Sequence, residues 1–304
     1  MEYSHHLLYF FFLIFIGYGA TCKRWLSDSL ADHLPSLLTH ICYPAMIVYT
    51  FSQIRFSRQW SPSFSTVTTA LIVSITLLCV TKICLRGKPR TERYFLQFML
   101  NIGNITYIGI PIFSIFLPES TLSIFILLGT LQDFLIWLYF YPALLASHNP
   151  PRLGTLLVNP CIFSLFLGLI LAIFSLPLPA FFQTSFRGLS EMTMPLAALY
   201  FGMLIARYGI RTPLQNTSAL KYAFIKSILI PLCIALLLLP LCGIRTSLLL
   251  ALFFGCPAPL LGIVWAREHD MDLPFVRDCC IVSTLLFLPV STIALAMCTT
   301  TFSP

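Results

Sequence analysis

The chain of 304 residues is 58% hydrophobic and only 10% charged, with a mean hydropathy of +0.89. Soluble domains carry about 25% charged residues, so this composition excludes a water-soluble globular domain. The net charge of +7 therefore belongs to membrane topology rather than to nucleic-acid binding.

Ten apolar segments are long enough to cross a bilayer at about 20 residues each. They are His6–Cys22, Leu30–Phe51, Phe64–Leu85, Tyr94–Leu117, Leu122–Leu145, Leu153–Leu176, Phe181–Ala206, Ala219–Leu239, Thr246–Ala266 and Phe275–Cys298. The first opens on Glu2, His5 and His6 and is followed by Lys23 and Arg24. A cleaved signal peptide has the opposite charge order, so the segment reads as a retained span. Placing the N-terminus outside puts fourteen Lys and Arg residues, from Lys23 through Lys226 to Arg277, at inner ends. Only Arg55, Arg58, Arg187 and Arg245 are then at outer ends. The positive-inside rule accepts that orientation alone, with both termini outside the cytoplasm. The eleven cysteines are scattered, all but Cys242 within these apolar segments, without a CxxC, neither a disulfide framework nor a metal site. They read as packed thiols.

The connection Ser147–Arg152 divides the spans five and five, as 1–148 and 149–304. An odd repeat unit must insert in opposite orientations. Pro44 and Pro195, in spans two and seven, each have Tyr five residues later (Tyr49, Tyr200) and Arg soon after (Arg55, Arg207). The fold class expected is all-α: ten transmembrane helices as two inverted five-helix repeats.

Spans four and nine are unlike lipid-facing helices. Asn101 and Asn104 carry amides to hydrocarbon depth, and Gly103, Gly109 and Pro111 interrupt the ladder; Gly255-Cys256-Pro257 repeats the Gly-x-Pro pattern. Irregular backbone at that depth is tolerated only where protein buries it or it lines a cavity. Two such spans in corresponding places point to a transport site. Proline suits the first helical position, so second half-helices are expected to begin at Pro111 and Pro257. Their positive ends would meet near the midplane as a backbone-built anion site. Asn104, with Tyr107 one turn on, would donate to a carboxylate. The substrate-binding set is Asn101, Asn104, Tyr107, Gly109, Pro111, Gly255, Cys256 and Pro257.

Asn104-x4-Gly109-x-Pro111 resembles the crossover motif of the auxin efflux carrier family, which includes plant PIN carriers and bacterial malonate and malate permeases. Cys256-Pro257, Val264–His269, Leu288-Pro289, Asn159-Pro160 with Gly168, and Pro195 with Gly202 are similar to that family's later spans. The resemblance covers almost the whole chain. It implies a scaffold of spans one, two, six and seven, and a transport domain of spans three to five and eight to ten. It further implies an elevator mechanism, a scaffold-mediated homodimer and, for a compact member, a bacterial inner membrane. The sequence departs from plant carriers in lacking their long loop. It also has no acidic residue in span three, and Asp133 stands where they have glutamine.

Asp133 is the lone charge of span five. A carboxylate there must hold a proton, find a cation or face water. It is thus a candidate for coupling to a proton or sodium ion, with Glu191 and His40, each four residues before a repeat proline, as lesser candidates. There is no HExxH and no GxSxG, and no metal or organic cofactor is expected. The reading is a non-enzymatic carrier of small organic anions. The alternatives are a sodium-coupled symporter of the bile-acid carrier type and an anion channel.

Overall fold

The computed structural model describes residues 2–53, 61–110, 112–113, 117–148 and 158–302. Among these every regular element is helical. The order begins with α1 (Glu2–Cys22) and α2 (Asp28–Leu37), the latter capped by the Ser27 hydroxyl accepting from the Leu30 N–H. A π-helical turn, Leu38–Cys42, leads into α3 (Tyr43–Gln53). Then come α4 (Ser61–Cys84), α5 (Arg90–Asn101) and a π-helical turn at Ile105–Gly109. Next, α6 (Glu119–Leu135) passes through the turn Ile136–Phe140 into α7 (Tyr141–His148). The rest comprises α8 (Pro160–Ile173), α9 (Ala180–Tyr208), α10 (Arg211–Gln215) and α11 (Thr217–Phe224). The turn Ile225–Leu229 joins α11 to α12 (Ile230–Gly255), followed by α13 (Leu261–Glu268) and α14 (Leu273–Phe302).

Each of these π-helical turns ends two residues before a proline: Pro44, Pro111, Pro142 and Pro231. A proline ring clashes with the carbonyl four residues back and has no N–H to give it. At Pro44, Pro142 and Pro231 the wider turn lets the ladder pass that point without ending the helix.

Among the described residues six helical stretches are long and apolar enough to cross a membrane: Ser29–Gln53, Phe64–Cys84, Thr121–Ala146, Ala180–Tyr208, Thr217–Gly255 and Leu273–Ser291. Leu8–Cys22 and Pro160–Ile173 are shorter apolar helices. Thr217–Gly255 is two helices joined at Gly243, whose φ of 73° is left-handed backbone open to glycine at no steric cost.

α1 packs on α9, α9 on α3 and α3 on α8, whereas α4 packs on α5, α6 and α12, and α14 on α11, α12 and α13. Lipid tails provide no hydrophobic drive between helices, so close backbone approach does that work. At the α1–α9 contact, Gly17 lies on the Leu199 backbone and Gly202 on the Ile14 carbonyl, where a Cβ would collide. Gly168 of α8 similarly admits Phe51 of α3.

Candidate functional site

α5 stops at Asn101 because the next residues are held extended. Ile102 sits at φ −94°, ψ 136° and Asn104 at φ −79°, ψ 67°. Gln132 of α6 takes the place of a neighbouring strand: its Oε1 accepts from the Gly103 N–H at 3.3 Å, and its Nε2 donates to the Gly103 carbonyl at 3.1 Å. α12 likewise gives way to a non-helical run at 256–260. Pro257 and Pro259 force their predecessors out of helical geometry, and the Ala258 N–H is satisfied by the Ser283 hydroxyl at 2.9 Å.

The two extended runs cross. The Asn104 N–H donates to the Pro257 carbonyl at 2.8 Å. A Cβ on Gly103 would lie 2.7 Å from the Cβ of Cys256, and one on Gly109 would lie 3.0 Å from its Sγ. Glycine is required there because one backbone rests on the other. Helical structure resumes at Ile105 and Leu261, before Pro111 on one side and four residues after Pro257 on the other. The sequence had placed both restarts at the prolines. The glycine crossing, stapled by Gln132, ends α5 before Pro111 is reached, and the second proline, Pro259, delays the restart of α13. Pro111 itself lies outside the described residues.

A cavity of about 30 Å³ opens beside the crossing, lined among others by Thr39, Tyr43, Asn104, Tyr107, Asp133 and Leu261. That is room for about two waters. Asn104, 3% exposed, turns its Nδ2 to no hydrogen-bond partner. A buried donor left unsatisfied is costly, so this amide is poised to bind. The Asp133 carboxylate, 8% exposed, accepts from the Tyr43 hydroxyl. It also borders a second cavity of about 40 Å³ with Thr50, Thr106 and Thr130.

The other residues singled out from the sequence fall elsewhere. Asn101 donates to the Thr81 hydroxyl at 3.0 Å and to the Gln97 carbonyl at 2.8 Å, tying α5 to α4. Gly109, Gly255 and Cys256 pack the crossing, Gly255 against the Pro231 ring. Glu191 is exposed and pairs with Arg187 at 2.7 Å, while exposed His40 bonds back to the Ser36 carbonyl at 2.9 Å. They do not reach the cavity lining.

Sequence reasoning missed Gln132, whose spacing carries no signal separate from Asp133 beside it. It also placed Lys226 at a loop end. The side chain is fully buried, and its ammonium donates to the Leu100 carbonyl at 2.9 Å, as the Tyr222 hydroxyl does to Met99 at 2.6 Å. These two groups, one turn apart, satisfy the open carbonyl end of α5.

An all-helical chain of this hydropathy, with several helices able to span, is a multi-pass membrane protein. The family model described as a membrane transport protein (Mem_trans) matches residues 3–152 and 152–295. The chain therefore belongs to this membrane transport family, that of the auxin efflux carriers. The comparison with curated proteins gave no match.

Proposed function

We propose that the protein is a secondary carrier of small organic anions, mono- or dicarboxylates, working by elevator-type alternating access across the cytoplasmic membrane. In this reading ten helices form two inverted repeats, 1–148 and 149–304. The interrupted fourth and ninth helices, α5 with its continuation and the end of α12 with α13, cross at the midplane. α1, α2–α3, α8 and α9 are the scaffold, and the remaining helices form the moving transport domain. The chain of contacts α1–α9–α3–α8 supports that scaffold, and the junction of the two family matches at residue 152 supports the two repeats.

The observation that carries the reading is the unpartnered Asn104 amide in the cavity at the crossing. A substrate carboxylate there meets that amide and the N-terminal ends of the helical pieces beginning at Ile105 and Leu261, where backbone N–H groups and the helix dipole favour negative charge. The present cavity is too small for such an anion, so α3 and α6 must part to admit it.

The test is uptake of labelled malonate, malate and an indole acid into proteoliposomes. Saturable uptake with countertransport is expected, and Asn104→Ala should weaken apparent affinity at least tenfold. Unsaturable flux down any anion gradient would mark a channel, and no flux of any of the three would overturn the reading.

A further inference from the structure

We propose that Asp133 is a proton-binding site linked to the anion site, taking up one proton for each organic anion bound beside Asn104. The inference rests on the carrier reading above and adds the coupled ion.

The geometry carries it. Asp133 and Asn104 line the same small cavity, one bringing a carboxylate and the other the amide that receives the substrate's carboxylate. Two carboxylates enclosed together, away from water, cannot both stay ionised without a cation between them. The groups facing Asp133 supply none. From α3 comes Tyr43, from the turn after the crossing Tyr107, which Cys42 of the turn before α3 faces in turn, and from the start of α8 Cys161. Gln132, Trp137 and Thr130 are its neighbours on its own helix. The buried cation Lys226 is engaged with the Leu100 carbonyl and lies beside Cys256, and it does not line the cavity.

A divalent metal ion fits poorly. Among the described residues no three His, Cys, Asp or Glu come together to hold a divalent ion, which takes several carboxylate and other oxygen ligands. A proton needs only the carboxylate. Tyr43 donates to Oδ1, which leaves Oδ2 to accept the proton. In the empty protein the Tyr43 hydroxyl supports the charged carboxylate. When the anion arrives, the proton arrives with it, and the pair leaves together on the other side.

The experiment uses the full chain in proteoliposomes with the membrane potential clamped at zero, the inside one pH unit more alkaline, and labelled malonate as probe. Wild type is expected to concentrate malonate about tenfold over protein-free vesicles, the equilibrium value for one proton per anion. A trapped pH dye should report one proton entering per malonate. Asp133→Asn is expected to lose the pH-driven accumulation, and any malonate exchange it retains should no longer vary with pH. Accumulation that persists in Asp133→Asn overturns the proposal. So does wild-type exchange without accumulation or proton entry, which leaves the carrier reading standing. Should Asp133→Asn not fold, the proton count in wild type decides alone. No wild-type exchange of malonate, malate or an indole acid removes the carrier reading, and the proposal falls with it.

Discussion

Arg267 holds Asp32 with both ends of its guanidinium fork: Nη1 donates to the Asp32 carbonyl at 2.6 Å and Nη2 to Oδ1 at 2.7 Å. Arg207 Nη1 is a second donor to that Oδ1, at 2.9 Å. Asp32 and Arg207 sit on α2 and α9, and Arg267 sits on α13, so the cluster joins the group proposed as scaffold to the half-helix proposed to move. Half-exposed ion pairs are each worth up to about 1 kcal/mol. Asp32→Asn keeps the bond to the carbonyl and loses the charge. It is expected to cost the contact about 1 kcal/mol, roughly a fivefold shift in population. Amide hydrogen exchange of Leu261–Glu268 should rise by about that factor, with α1 unaffected. Unchanged exchange in α13 would show that the cluster does not hold the helix in place.

Asn104 and Gln132 are both buried amides at the crossing, and they should behave oppositely. Gln132→Ala leaves both the N–H and the carbonyl of Gly103 without a partner, at about 1–3 kcal/mol each. A clear fall in Tm is expected in detergent, whatever ligand is present. Asn104→Ala strands nothing, because its Nδ2 has no partner to lose; Tm should hold while anion uptake weakens. A Tm loss in Asn104→Ala as large as in Gln132→Ala would make Asn104 a packing residue.

The same contrast shows what the sequence carries. That the chain crosses a membrane several times was legible because long apolar runs leave few alternatives, and Asn104 stood out because an amide at hydrocarbon depth needs a reason. Gln132 was not legible: its role depends on facing Gly103, and neither residue announces the other. Lys226 read as an inner-end charge because the positive-inside rule gathers lysines at the edges of apolar segments there. Its true partner, the carbonyl end of α5, is set by tertiary packing. The helix breaks were assigned to Pro111 and Pro257 because proline is the stronger local breaker. The glycine contact that ends α5 is a long-range fact. The π-helical turns were legible in principle, since a proline follows each of them by two residues, but the pattern emerges only when the turns are seen together.

Gly202 and Gly188 lie on the same helix, α9, and separate packing from propensity. A Cβ on Gly202 meets the Ile14 carbonyl, whereas one on Gly188 meets nothing within 4 Å. Gly188→Ala should be neutral or stabilise by up to about 1 kcal/mol. Gly202→Ala should push α1 off α9 and lower Tm by several degrees. Equal effects at the two positions would mean that the α1–α9 contact does not depend on close backbone approach.

The crossing makes a sharper forecast, because Gly103 and Gly109 press on different atoms of one side chain. Gly109→Ala brings its methyl to the Cys256 sulfur, and Gly103→Ala brings its methyl to the Cys256 Cβ. Each alone is expected to destabilise by about 1–3 kcal/mol, the usual cost of overpacking. Cys256→Ala removes the sulfur and keeps the Cβ. It should therefore rescue Gly109→Ala and leave Gly103→Ala as damaged as before, a coupling that thermal unfolding of the single and double variants would measure. Rescue of both, or of neither, would mean that the chains do not cross with Gly103 against the Cys256 Cβ, and the anion site built on that crossing would lose its frame.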